Sequence, residues 1–95
     1  VCRERGIPLV VAYLPNRGEV RRRQYDTPLL VDELVARDRS GQLRLIDLLG
    51  DYAELGEDGV FAAKDPCHPS ARGHDLIARR ILQDPHFRRA GGLPP

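Results

Sequence analysis

The chain has 95 residues, 31% of them charged, and a formal net charge of +1. That length carries one small domain and no more. The balanced charge gives no sign of the basic surface by which nucleic-acid binders hold phosphate, and no apolar run approaches the ~20 residues a membrane-spanning helix needs.

Basic residues are almost all arginine, with Lys64 the one lysine, which fits a coding bias better than a binding surface. Methionine is absent, and Val1-Cys2-Arg3-Glu4-Arg5 lacks a leader-like apolar segment. The chain is therefore expected to be the C-terminal piece of a longer protein. Cys2 and Cys67 stand far apart with no cysteine framework around them, so two unpaired thiols are expected. They leave the compartment open.

In chain order, Cys2 to Arg5 reads as the tail of a helix ending at Gly6. Residues 7–14, Ile-Pro-Leu-Val-Val-Ala-Tyr-Leu, form a nearly continuous apolar run. Runs of this kind mark strands buried on both faces, as in parallel sheets covered by helices. Pro15 ends the strand and Asn16 to Gly18 form a loop. Residues 19–26 are polar and basic, a short helix or ordered loop, with Arg21-Arg22-Arg23 as a solvated face. A helix is expected over 28–38, with Thr27 as its cap, Pro28 at its start and Leu29, Leu30, Leu34 and Val35 on one side. Ser40-Gly41 ends it. Leu43 to Leu48 reads as a second strand, buried at its end. A long loop follows from Leu49 to Lys64, with Tyr52 and Phe61 as its packing anchors.

The last third holds the most informative run, Asp65-Pro66-Cys67-His68-Pro69-Ser70-Ala71-Arg72-Gly73-His74. Ser70 suits a helix N-cap, because its hydroxyl can accept from free N–H groups of the first turn. Leu76, Ile77, Ala78, Ile81 and Leu82 then form an apolar stripe, and Asp84-Pro85 stops the helix. Asp65 and His68 thus sit on a loop rooted in a helix start. A carboxylate beside an imidazole fixes the ring tautomer and stabilises the imidazolium, which leaves the other ring nitrogen able to take a proton from a nucleophile. Cys67 is discounted as a nucleophile, since neighbours on an extended segment point to opposite sides. His86 lies in a basic tail, Pro85 to Arg89, and residues 90–95 are Gly/Pro-rich and expected to fray.

The order strand, helix, strand, long loop, helix argues for an α/β layer with a parallel sheet and a right-handed crossover. Two strands alone cannot cover their faces and edges, so further strands are expected upstream.

The run Asp65-x-x-His68-Pro69-Ser70-x-x-Gly73-His74 closely resembles the last block of the SGNH hydrolases, also called GDSL esterases/lipases. The resemblance covers most of the chain and is specific at 65–74. It implies the C-terminal part of a flavodoxin-like α/β/α sandwich with parallel strands, incomplete in this chain. It implies His68 as general base and Asp65 as the residue that orients it. It implies acyl transfer from an ester to water, with a lipid, acetylated sugar or small aryl ester as substrate and no cofactor. The segment 49–64 would run past the active site, where Tyr52 or Phe61 could line an acyl pocket. The family's nucleophile is a serine in a Gly-Asp-Ser motif, and its oxyanion-hole Gly and Asn come from other upstream blocks. Neither Ser40 nor Ser70 lies in such a motif, and Asn16 lacks the Gly-x-Asn-Asp context. The 95 residues are therefore expected to supply the Asp-His half and to be inactive alone, with the missing N-terminal part of the same domain as their partner.

Three other readings compete. Asp65, His68 and His74 could ligate a metal, although His74 falls inside the helix beyond Gly73 and zinc sites show tighter spacing. The domain could be an SGNH-like module that binds a carbohydrate or a partner without catalysis. Asp65 and His68 could also be a structural pair that caps the loop.

Overall fold

The structure, a computed structural model, describes residues 4–94. Its elements in chain order are β1 (Val10–Tyr13), α1 (Arg17–Arg22), α2 (Pro28–Arg39), β2 (Arg44–Asp47), α3 (Leu49–Leu55), α4 (Glu57–Val60), α5 (Ala71–Gln83) and α6 (Pro85–Ala90). β1 and β2 pair in parallel, with Val10 opposite Arg44 and Tyr13 opposite Asp47. The alternation of strand and helix thus produces the parallel α/β layer expected of it.

Both strands are shorter than their apolar runs. Pro8 has no N–H to give to a ladder and Pro15 closes the other end, so β1 keeps only the four residues between them that pair. Ile7, Leu9 and Leu14 are exposed, and the residues of β1 itself are half-buried. Among the described residues this run is therefore not covered on both faces, and each strand of the two-stranded sheet also keeps one open edge. The helix tail expected at Cys2 to Arg5 begins outside the described residues, and Glu4 to Gly6 form a turn.

The core gathers on β2 and the helices after it. Ile46 from β2, Leu48 between β2 and α3, Val20 from α1, Leu49 and Tyr52 from α3, and Val60 and Phe61 at the end of α4 form one buried cluster. Leu76, Ile77 and Ile81 of α5 pack against it. Ala78 and Leu82 of the expected stripe lie exposed instead.

The expected long loop at 49–64 is two short helices. Asp47 Oδ1 accepts from the Leu49 N–H at 3.0 Å and so starts α3. Gly56 ends it at φ +89°, a left-handed conformation that glycine adopts without a Cβ penalty. Leu49, Tyr52 and Ala53 already carry helical spacing, but the three glycines of this stretch obscure it.

α2 begins at Pro28 as expected, yet its apolar side is not a buried face. Leu29 and Leu30 are 83% and 53% exposed, and Val31 is the helix's one buried residue. Thr27 caps with its backbone carbonyl, which accepts from Leu30 and Val31, and not with its side chain. The arginine run is largely paired: Arg21 with Glu57 at 2.9 Å and Arg22 with Asp26.

The expected basic tail opens as helix α6. Asp84 Oδ2 caps it by accepting from Phe87 N–H at 3.0 Å, and Asp84 Oδ1 accepts from Arg44 at 2.8 and 3.1 Å. The helix closes with Leu93 N–H on the Arg88 carbonyl and Gly92 N–H on Arg89, with Gly92 at φ +69°. This is the reciprocal pattern of a glycine C-cap.

Candidate functional site

The segment from Gly59 to His74 folds back on itself as a small pinned hairpin. Phe61 and Pro69 form an antiparallel bridge, and Ala62 N–H donates to the His68 carbonyl at 2.9 Å. Between them the chain turns at Ala62 to Asp65, closed by a 3.0 Å bond from Asp65 N–H to the Ala62 carbonyl. Ser70 fixes the far arm. Its Oγ donates to the Gly59 carbonyl at 2.7 Å and accepts from Gly73 N–H at 3.0 Å, so it is the expected N-cap of α5 and a tie to α4 as well. Gly73 is buried because the Val60 backbone lies against it; a Cβ there would stand 2.1 Å from the Val60 carbonyl oxygen. No sequence rule for helices demands that glycine, but the close approach does.

Within this frame Asp65 and His68 meet. Both carboxylate oxygens lie 3.0 Å from His68 Nδ1. Asp65 Oδ1 also accepts from the backbone N–H groups of Cys67 at 2.9 Å and His68 at 2.7 Å. These two backbone donors, His68 first, hold the carboxyl at about 2, below its usual 3.8, and the ring adds to their effect. The acid therefore stays ionised well below the ordinary carboxylate range. The His68 side chain is 77% exposed, so Nε2 is open to an approaching group.

The loop is anchored from across the molecule by Arg17, the residue that follows the N-cap of α1. Its backbone N–H donates to the Pro66 carbonyl at 2.7 Å. Its guanidinium donates through Nε to the Asp65 carbonyl at 3.0 Å and through Nη2 to Ala62 at 3.1 Å. The same group lies over the Phe61 ring, 5.3 Å from its centre, and pairs with Asp58 at 3.0 Å. The dyad is thereby fastened beside the C-terminal end of β1, the end at which open parallel sheets bind ligands. Arg17 was invisible in the sequence, where it is one arginine among many.

Several expected residues take other roles. Asn16 caps α1 in a reciprocal box: its side chain accepts from Glu19 N–H at 2.8 Å, and Glu19 Oε1 accepts from Asn16 N–H at 3.0 Å. Asn16 Nδ2 is held by Asp26. Tyr52 and Phe61 are the packing anchors expected. At 1% and 2% exposure, edge to face with centres 5.6 Å apart, they belong to the core and leave no acyl-pocket wall to either ring. Ser40 Oγ donates to the Arg37 carbonyl and accepts from Gln42. Neither described serine carries a free hydroxyl aimed at His68.

Cys67 departs from expectation. Asp65 bends the backbone at Pro66-Cys67, so the segment is not extended and the thiol does not point away. Its Sγ lies 3.7 Å from His68 Nδ1. Cys67 is free and exposed; Cys2 lies outside the described residues. Among the described residues the donor group close enough to share a metal ion is Asp65, Cys67 and His68. His74, the third ligand of the competing metal reading, sits exposed on α5 and is not part of it. A separate groove of about 640 Å³ opens at the other end of the strands, beside Ile7, Leu43 and Arg89. It contains neither member of the dyad.

Comparisons with protein-family models, with curated proteins and with solved structures gave no match. No helix among the described residues is long and apolar enough to cross a membrane.

Proposed function

We propose that this chain carries the acid–base half of an ester hydrolase of the Ser-His-Asp type. Asp65 orients His68, and His68 Nε2 takes the proton of a serine hydroxyl supplied by sequence upstream of these 95 residues. The observation that carries this reading is the pair of 3.0 Å contacts from the Asp65 carboxylate to His68 Nδ1, with the ring's far side open to solvent.

The chemistry follows from that geometry. A carboxylate on Nδ1 keeps the N–H there and leaves Nε2 bare. A serine oxygen within reach gives up its proton to Nε2 as it attacks an ester carbonyl. The imidazolium formed faces an ionised Asp65, which stabilises it, and then returns the proton to the leaving alcohol. The acyl-enzyme is hydrolysed by a water activated in the same way. Oxyanion donors would come from the same upstream sequence as the serine, because Asn16 is engaged as a cap.

Two further features support an incomplete SGNH-like sandwich. Ile7, Leu9 and Leu14 flank β1 and are exposed, as are Leu29 and Leu30 on α2. An upstream strand and helix laid along them would cover the apolar surface that a two-stranded sheet leaves open. The order of β2, the pinned hairpin and α5 also follows the family's final block.

The test is made in the complete protein. Its coding sequence is expected to hold a Gly-Asp-Ser after a first strand, and it should hydrolyse a generic short-chain ester. His68→Ala should abolish turnover, a loss on the order of 10⁶-fold in kcat for a triad member. Unchanged turnover would remove the assignment. The 95 residues by themselves should form no acyl-enzyme.

A further inference from the structure

The bend Asp65-Pro66-Cys67-His68 brings a carboxylate, a thiol and an imidazole to one point of the surface. Cys67 Sγ is 3.7 Å from His68 Nδ1, and Nδ1 is 3.0 Å from Asp65 Oδ2. One donor atom from each of the three residues lies within 4.8 Å of the other two. A tetrahedral zinc ion with bonds of roughly 2.0–2.3 Å sets its ligands roughly 3.3–3.8 Å apart. The sulfur–nitrogen separation already has that value. Rotation of the exposed Cys67 and His68 side chains covers the remaining difference, while the backbone bonds to Asp65 Oδ1 keep the bend in place and leave Oδ2 to turn toward an ion.

We propose that Asp65, Cys67 and His68 form a capture site for zinc, and that zinc bound there switches off the base. The donor set selects the ion. One sulfur, one imidazole nitrogen and one carboxylate oxygen suit a borderline-soft divalent metal and not magnesium or calcium, which take oxygen ligands. The fourth position would be left to water.

The switching follows from proton accounting on the ring. Cys67 gives up its thiol proton to solvent and binds as thiolate. A neutral imidazole has a single N–H. With the metal on Nδ1, that proton sits on Nε2, the nitrogen that must be bare to accept from a serine. The same ion displaces Asp65 from its hydrogen bond to Nδ1. The switching part rests on the hydrolase reading, whereas zinc capture does not.

The experiment is a calorimetric titration of the reduced chain with zinc chloride at about pH 7.5, repeated on Cys67→Ser and Cys2→Ser. One zinc should bind per chain with proton release. Cys67→Ser should weaken it by more than the roughly 10–100-fold that loss of a supporting outer partner costs, and Cys2→Ser should leave it unchanged. In parallel, ¹⁵N spectra of the His68 ring should show its proton on Nε2 once zinc is bound. Equal binding by Cys67→Ser, an absence of binding, or a ring that keeps its proton on Nδ1 overturns the proposal. None of these readouts uses ester turnover, so failure of the hydrolase reading leaves them standing and their failure leaves that reading intact. Cys67→Ser is a near-isosteric change at an exposed position, so its folding is not at issue.

Discussion

Arg17 Nε donates to the backbone carbonyl of Asp65 at 3.0 Å, across 48 residues of sequence. The loop that holds the dyad is therefore fixed by a residue of the first third of the chain. Arg17→Ala removes two guanidinium bonds to loop carbonyls and the contact over Phe61. Each lost bond from a charged donor is worth about 1.5–3 kcal/mol before solvent screening, and the side chain is largely but not wholly covered. A loss of about 2 kcal/mol is expected in urea unfolding. Faster amide exchange at Cys67 and His68 should accompany it. Arg17→Lys should recover only part, since one ammonium cannot reproduce the two-pronged fork. Stability equal to wild type in Arg17→Ala would show that the loop holds itself.

Gly73 gives a prediction of unusual sign. In an exposed helix, glycine to alanine stabilises by about 1 kcal/mol. Here the new Cβ would meet the Val60 carbonyl oxygen at 2.1 Å. Gly73→Ala should destabilise by about 1–3 kcal/mol, the usual cost of overpacking, and should shift the backbone between Val60 and Ser70. Thermal unfolding followed by circular dichroism reads the first, and amide chemical shifts read the second. A raised Tm would mean that α5 does not lie against Val60.

Asp84 joins β2 to the α5–α6 corner. Burial raises its carboxyl, but the Arg44 guanidinium and the Phe87 N–H outweigh it and hold the group below its usual value of 3.8. A depressed folded value contributes stability that is present above the unfolded value and lost as pH falls through the folded one. Asp84→Asn should therefore destabilise at pH 7 by about 1–3 kcal/mol, below the 3–5 of a fully buried broken pair because Arg44 is 30% exposed. The difference between variant and wild type should shrink as pH falls below about 3.8. Urea midpoints across that range decide it.

Much of this arrangement was legible from residue order alone. The parallel pairing came from two apolar runs separated by a helical stretch. The N-cap at Ser70 and the meeting of Asp65 with His68 came from local spacing, because a side chain three residues ahead of a bend reaches back onto it. What stayed hidden depends on distant partners. Arg17 and Asp65 are 48 residues apart, and nothing local selects Arg17 among its neighbours. Gly73 is explained only by Val60 crossing over it. Leu29 and Leu30 follow helical spacing yet face solvent, since periodicity marks an apolar side without saying what covers it. Cys67 was misplaced for a local reason: the carboxylate of Asp65 accepts from the Cys67 and His68 N–H groups and bends a backbone that was read as extended.

The Asp65 carboxylate should titrate at about 2. Its pairing with the loop N–H groups and with His68 contributes stability that is complete above the ordinary 3.8 and disappears as pH falls through about 2. Side-chain ¹³C shifts of Asp65 followed from pH 6 downward should stay at their ionised position through pH 3. A midpoint near 4 would mean that the backbone donors of Cys67 and His68 do not hold it in solution.

The most direct measurement is the position of the proton on the His68 ring in the zinc-free chain. At about pH 8, long-range ¹⁵N–¹H spectra should show His68 with its proton on Nδ1, facing Asp65, and Nε2 bare. A ring protonated on Nε2, or one exchanging freely between both tautomers, would contradict the assignment of His68 as a base held ready by Asp65.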